Sequence, residues 1–243
     1  MFRVLKALPV TLALAALSLF ATSCGSTDQA QIRVINAIPD GGPTDIYVDS
    51  RRIASSLQFG GIFPTPGANA NYVGVTPGRD LIQGFAPGDT TNPISPIGTF
   101  TLNGSTDYTV VAVGSEANNS RPLVLTDNNL APTGGNAEFR IVNTSLSSPP
   151  NGVDVYIVPP GTNITNYAPQ ITALGTSQGS AYQPVPSIAG GYAVVVTANL
   201  KKVPLLTQLA PAPSGSITTM VILDNPGVNN GMSVTPLVLN DLN

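Results

Sequence analysis

The chain of 243 residues has no histidine, no tryptophan and one cysteine. Without an imidazole, Ser-His-Asp and Cys-His catalytic arrangements and histidine metal sites are excluded. One cysteine cannot form an internal disulfide, and the Cys…Trp…Cys signature of antibody domains is excluded with it. Charge is scarce as well. Only 9% of residues are charged, against about 25% in an ordinary soluble protein. Ten basic residues face 13 acidic ones, and no basic run exceeds Arg51-Arg52 or Lys201-Lys202. Nucleic acid is therefore a poor partner. Neither Lys201 nor Lys202 follows a glycine, so the Gly-Lys-Ser/Thr phosphate loop is missing. No catalytic, cofactor-binding or metal-ligating set stands out, and no cofactor is expected.

What is present points to strands. Apolar residues make up 42% of the chain, beside 24 Gly and 23 Pro. Apolar content this high argues against disorder. Short apolar runs separated by Gly, Pro and Asn are the pattern of an all-β exported protein.

The N-terminus supplies an address. Arg3 and Lys6 precede an apolar or small run from Ala7 to Phe20, broken only by Thr11, Ser18 and Pro9. The run is too short for a hydrocarbon core that needs about 20 residues, and it has the length of a signal-peptide apolar region. It ends in Ala21-Thr22-Ser23-Cys24-Gly25, which resembles the lipobox of bacterial lipoproteins, with Ala21 where Leu is usual. That resemblance implies cleavage after residue 23 and acylation of Cys24, as by palmitate, giving a membrane partner through the lipid. Acylation would also remove the liability of a lone exported thiol. Residues 1–23 are then the signal peptide and 24–30 a tether reaching about 20 Å at most. The mature chain keeps 8 basic and 13 acidic residues, since Arg3 and Lys6 leave with the signal, for a charge of −5. Gly25 after the cysteine resembles lipoproteins sent to the outer membrane, if the host has one.

An internal repeat sets the domain count. Ile32–Ala37 matches Phe139–Thr144 at an offset of 107, and Thr44–Val48 matches Val153–Ile157 at 109. Gly104-Ser105 matches Gly215-Ser216 at 111, and Pro122–Asp127 matches Pro236–Asp241 at 114. A unit of about 110 residues has the size of an independently cored domain. The expectation is two tandem immunoglobulin-like β-sandwiches, residues 31–128 and 137–243, joined by a linker over 129–136.

Each copy offers about seven strand-like runs. In the first these are Gln31–Ala37, Asp45–Val48, Asn71–Val75, Leu81–Phe85, Ile97–Leu102, Tyr108–Val113 and Leu123–Thr126. In the second they are Glu138–Asn143, Val153–Val158, Ile171–Leu174, Ala181–Val185, Tyr192–Ala198, Ile217–Leu223 and Val234–Leu239. The segments Arg33-Val34-Ile35-Asn36, Asp45-Ile46-Tyr47-Val48, Tyr72 through Gly78 and Tyr108 through Gly114 resemble the DUF4397 domain of bacterial exported proteins. The resemblance spans nearly all of the first copy and is weaker in the second. It implies an exported β-sandwich, often in tandem, and brings no catalytic residues.

The remaining chemistry rests on carboxylates. Asp40, Asp45 and Asp49 cluster around the loop after the first strand. Two of them suit a glycosidase-like pair or oxygen ligands for Ca²⁺. Turn chemistry explains Asp40 in Pro-Asp-Gly-Gly, and a repeated acid, Asp45 and Asp154, suits a loop-holding role better. Arg33 and Arg140, mid-strand among apolar residues, are expected to pair with those repeated acids or to face solvent. Tyr47, Tyr72, Tyr108, Tyr156, Tyr182 and Tyr192 are read as core-edge residues with wet hydroxyls, ahead of a carbohydrate platform.

The reading is a lipid-anchored cell-envelope protein of non-enzymatic binding or structural role, with an envelope protein or glycan as partner. A carboxylate-based carbohydrate-active hydrolase is the alternative. The short tether puts the first sandwich against the membrane and projects the second outward.

Overall fold

The structure, a computed structural model, describes residues 28–65, 71–94, 98–116, 120–225 and 234–242. The expected signal peptide, Cys24 and the tether up to residue 27 lie outside the described residues. Eighteen strands and one 3₁₀ turn, Ile164–Asn166, are formed among them.

In the first half the strands are β1 (Ala30–Asn36), β2 (Thr44–Val48), β3 (Arg51–Leu57), β4 (Ile62–Phe63), β5 (Val73–Val75), β6 (Gly78–Phe85), β7 (Gly98–Leu102), β8 (Asp107–Val113) and β9 (Arg121–Thr126). They form two sheets. One has the order β4-β1-β8-β9 with β5 also paired to β1, and the other has the order β3-β2-β6-β7. The chain crosses between the sheets four times, and β1 and β8 pair in parallel.

The second half repeats this plan. Its strands are β10 (Asn136–Asn143), β11 (Val153–Val158), β12 (Ile171–Leu174), β13 (Gln178–Gly179), β14 (Gln183–Pro186), β15 (Ile188–Ala198), β16 (Pro204–Ala212), β17 (Ile217–Asp224) and β18 (Val234–Asn240). The sheets run β13-β10-β17-β18, with β14 paired to β10, and β12-β11-β15-β16. Here β10 and β17 are the parallel pair. Each half is a β-sandwich with its own core. The first is filled by residues such as Ile32, Val34, Ile46, Ile82, Leu102 and Val110. The second is filled by Phe139, Ile141, Val155, Val194, Met220 and Ile222.

A third apolar cluster joins the halves: Ile35, Val111 and Val113 of the first pack with Val142, Val221, Leu223 and Leu239 of the second. The sheet holding β1 and the sheet holding β10 therefore lie back to back. This accounts for their composition. A strand buried on one face alternates, whereas one buried on both reads as a continuous apolar run. β8 is buried at every position after Asp107, and β17 throughout.

The strands of the two halves run in the same direction. Arg33, early in β1, reaches Asp241, which follows β18 opposite the start of β17. Gly60, bonded to Asn36 at the end of β1, faces Leu223 at the end of β17. The sandwiches thus stand side by side, and β1 and β10 begin at the same end of the molecule. The expected projection of the second sandwich beyond the first is corrected by this arrangement. Its cause is the interface cluster, which a reading of each copy by itself does not contain.

Candidate functional site

Ile35 of β1 packs into the junction between the halves, and two positions earlier, on the same face of the strand, stands an arginine. Arg33 stands opposite Thr109 of β8 in the parallel register, as Arg140 stands opposite Thr219 of β17. Both arginines are buried. Arg33 donates from Nε to Thr109 Oγ1 at 2.8 Å, from Nη1 to the Asn240 carbonyl at 3.1 Å, and from Nη2 to Asp241. Arg140 repeats this set in reverse, donating to Thr219 Oγ1 at 3.0 Å, to the Thr126 carbonyl at 3.0 Å and to Asp127 at 2.6 Å. Each arginine of one sandwich binds the terminal aspartate of the other. Longer contacts, Arg33 to Asp127 at 3.5 Å and Arg140 to Asp241 at 3.7 Å, close the four charges into one neutral cluster.

Each carboxylate accepts two further bonds. Asp127 accepts from Thr109 at 2.6 Å and from the Tyr72 hydroxyl at 2.7 Å. Asp241 accepts from Thr219 at 2.5 Å and from Tyr182 at 2.8 Å. Tyr72 and Tyr182 also lie under the arginines, with guanidinium-to-ring distances of 5.2 and 4.7 Å. Burial first, and then the charge of Asp127, pushes the Tyr72 hydroxyl far above the ordinary tyrosine range. Burial and Asp241 do the same for Tyr182. For Arg33, burial by itself favours the neutral form, but Asp241 and Asp127 outweigh it and raise its pKa. Two held arginines and two carboxylates bonded through both oxygens make a fastening rather than a proton-transfer device.

The expected partners of Arg33 and Arg140 are thereby corrected. They bind neither Asp45 nor Asp154, and they do not face solvent. Those two acids hold loops, as expected of a repeated turn residue. Asp45 accepts from the Ser56 amide at 2.7 Å and from Arg52 at 3.2 Å. Asp154 accepts from the amides of Ala173 and Leu200, each at 2.9 Å. Three of those four groups belong to residues with positive φ: Ser56, Ala173 and Leu200. The carboxylate holds backbone in a region that side chains disfavour. Asp40 accepts from the Glu116 amide and Asp49 from the Leu81 amide. Asp40, Asp45 and Asp49 are therefore each bound to a different segment. Among the described residues no three His, Cys, Asp or Glu side chains converge.

The tyrosines are spread through the molecule as well. Tyr72, Tyr108, Tyr156 and Tyr192 are buried. Tyr108 accepts from the Asn103 amide, and Tyr192 donates to the Pro186 carbonyl while packing edge-on against Phe139. They form no shared platform. A cavity of about 680 Å³ lies where Ile188, Gly190 and Gly191 of β15 part from Leu209 and Pro211 of β16, and no titratable side chain lines it. A smaller one of about 300 Å³ lies beside the cluster, lined by Arg33, Ile62, Asn71 and Asn240.

Asp127 and Asp241 are the site residues that the sequence reading passed over. Both close the fourth repeat match, and a charge repeated in both copies is the same signal that singled out Asp45 and Asp154.

Compared with known families, residues 30–156 match the model described as a domain of unknown function, DUF4397. The chain belongs to the DUF4397 family. The match covers the first sandwich and runs on through β10 into β11, so it includes Arg33, Tyr72, Asp127 and Arg140. No curated protein matches the chain. Among solved structures, the TIE protein of Bacillus anthracis is similar at 8% identity and a TM-score of 0.23, over 88% of this chain and 44% of that one. The chain thus spans less than half of that structure, and the likeness is too slight to bear on function.

Proposed function

We propose that this DUF4397 chain is a lipid-anchored protein of the bacterial cell envelope, held at Cys24, with a non-enzymatic binding or structural role. The second sandwich is a diverged second copy of the family domain. The observation that carries the non-catalytic part is the internal bonding of the Arg33–Asp127–Arg140–Asp241 cluster, in which every carboxylate oxygen accepts from a protein donor. Carboxylates engaged in this way are poor acids, bases or nucleophiles. A glycosidase needs two of them facing each other across a cleft about 5–10 Å wide, and Asp40, Asp45 and Asp49 are each tied to a separate backbone amide.

The anchor is supported by the short apolar run ahead of a lone cysteine. Among the described residues no helix is long and apolar enough to cross a membrane. In this reading the tether enters at the end where β1 begins, and both sandwiches stand on the membrane with their opposite loops presented outward. A partner, whether an envelope protein or a glycan, would then meet loops of both copies. Fractionation of cells expressing the Cys24→Ser chain tests the anchor. Full release from membranes is expected, and retention would overturn the reading.

A further inference from the structure

Asp49 is tied to a residue that the sequence reading did not weigh. It opens the turn between β2 and β3 with φ of 53° and accepts the Leu81 amide at 2.9 Å through one oxygen. That bond, together with the Asp49 amide's own bond to the Leu81 carbonyl at 2.7 Å, seats Asp49 beside Asp80, the preceding residue of β6. Asp80 is only 4% exposed and shares the inward face of β6 with Ile82. Its Oδ2 is fully buried and has no hydrogen-bond partner. A buried carboxylate oxygen without a donor costs several kcal/mol unless something neutralises it. Facing a second carboxylate makes this worse. The arginines closest to the pair in sequence are engaged or turned elsewhere: the Arg51 guanidinium donates to the Gly74 carbonyl, and Arg79 occupies the opposite face of its strand from Asp80.

We propose that Asp49 and Asp80 form a binding site for a hard divalent cation, Ca²⁺ above all. Both groups present oxygen, which is what Ca²⁺ selects, and its tolerance of irregular coordination allows waters and backbone carbonyls to complete the shell. With two carboxylates the site belongs to the weak class of extracellular modules, with a dissociation constant of about 0.1–1 mM. Asp40 and Asp45 take no part. The site is independent of the lipid anchor and stands or falls without it. The competing occupant is a proton shared between the two carboxyls, which burial and the neighbouring Asp49 both favour by raising the Asp80 pKa.

The test is thermal unfolding of the full Cys24→Ser chain at neutral pH, in EDTA and in about 10 mM CaCl₂ at matched ionic strength. A rise in Tm of about 3–8 °C is expected. It should be lost in Asp49→Asn, which keeps the left-handed backbone because asparagine tolerates it, and also in Asp80→Asn. An equal rise in either variant would overturn the site. So would no rise with Ca²⁺ in the parent chain; a higher Tm on mild acidification that Asp80→Asn abolishes would then assign the pair to a proton.

Discussion

Arg33 and Arg140 show how far a single side chain can be read. Their presence in both copies marked them as important, and their place in an apolar strand argued for a partner. Two self-sufficient copies would pair each arginine with an acid of its own copy, and nothing in either copy by itself points across the junction. The structure exchanges them: Arg33 takes Asp241 and Arg140 takes Asp127. A buried pair adds little net stability over an apolar replacement, but removing one member leaves an uncompensated charge. Replacing Arg140 with Met should therefore cost about 3–5 kcal/mol, read from urea unfolding. A loss under about 1 kcal/mol would mean that Asp127 is not confined as described.

The tyrosines add a pH dependence. The hydroxyls of Tyr72 and Tyr182 are raised in the folded state by burial and by their aspartates. A group raised on folding contributes stability that is fully present below its unfolded pKa, about 10 for tyrosine. That stability is lost as pH climbs above it, because the unfolded chain ionises first. Of the seven tyrosines, Tyr72 and Tyr182 should show phenolate absorbance only as the circular dichroism of the fold collapses. Ionisation of all seven while the fold persists would contradict the burial.

At the scale of strands, every expected run has a counterpart among the described residues, most within two residues of its bounds. The apolar runs of β1, β8, β10 and β17 were legible because β-branched residues fill them. β3 and β16 were not. β3 reads Arg-Arg-Ile-Ala-Ser-Ser-Leu and lies at a sheet edge with its charged and serine positions exposed. β16 carries Pro204 and Pro211, and proline demotes a run to an edge or to no strand. The edge is where β16 lies. Edge strands need no second apolar face, so the pattern that reveals central strands is weak in them.

Turns between strands bear their own constraint. Gly152, before β11, has φ of 78°, and a Cβ there would lie 2.7 Å from the backbone of Ala173. Gly161 has a similar φ of 82° with open space around it. Gly161→Ala should cost about 1 kcal/mol, the strain alone. Gly152→Ala should cost more than about 2 kcal/mol, because β11 and β12 must also part. Equal losses in chemical unfolding would place Ala173 farther away than described.

For the molecule as a whole, the sandwich class and the presence of two copies were legible in composition and in four ordered repeat matches. Their side-by-side packing was not. A sequence states which strands are apolar on both faces but does not say whether the second face meets a partner, a neighbouring domain or a loop. Here Ile35, Val111 and Val113 meet Val142, Val221 and Leu223, and the reciprocal ion pairs sit at one end of that contact. Such a junction is closer to a shared core than to a linker-joined interface. Separating the halves would expose the apolar surface and leave two arginines and two aspartates unpaired.

Differential scanning calorimetry of the Cys24→Ser chain tests this coupling directly. The account predicts a single endotherm, with equal calorimetric and van't Hoff enthalpies, as for one cooperative unit. Two separable endotherms, each about half the total enthalpy, would show that the sandwiches fold independently and would contradict it.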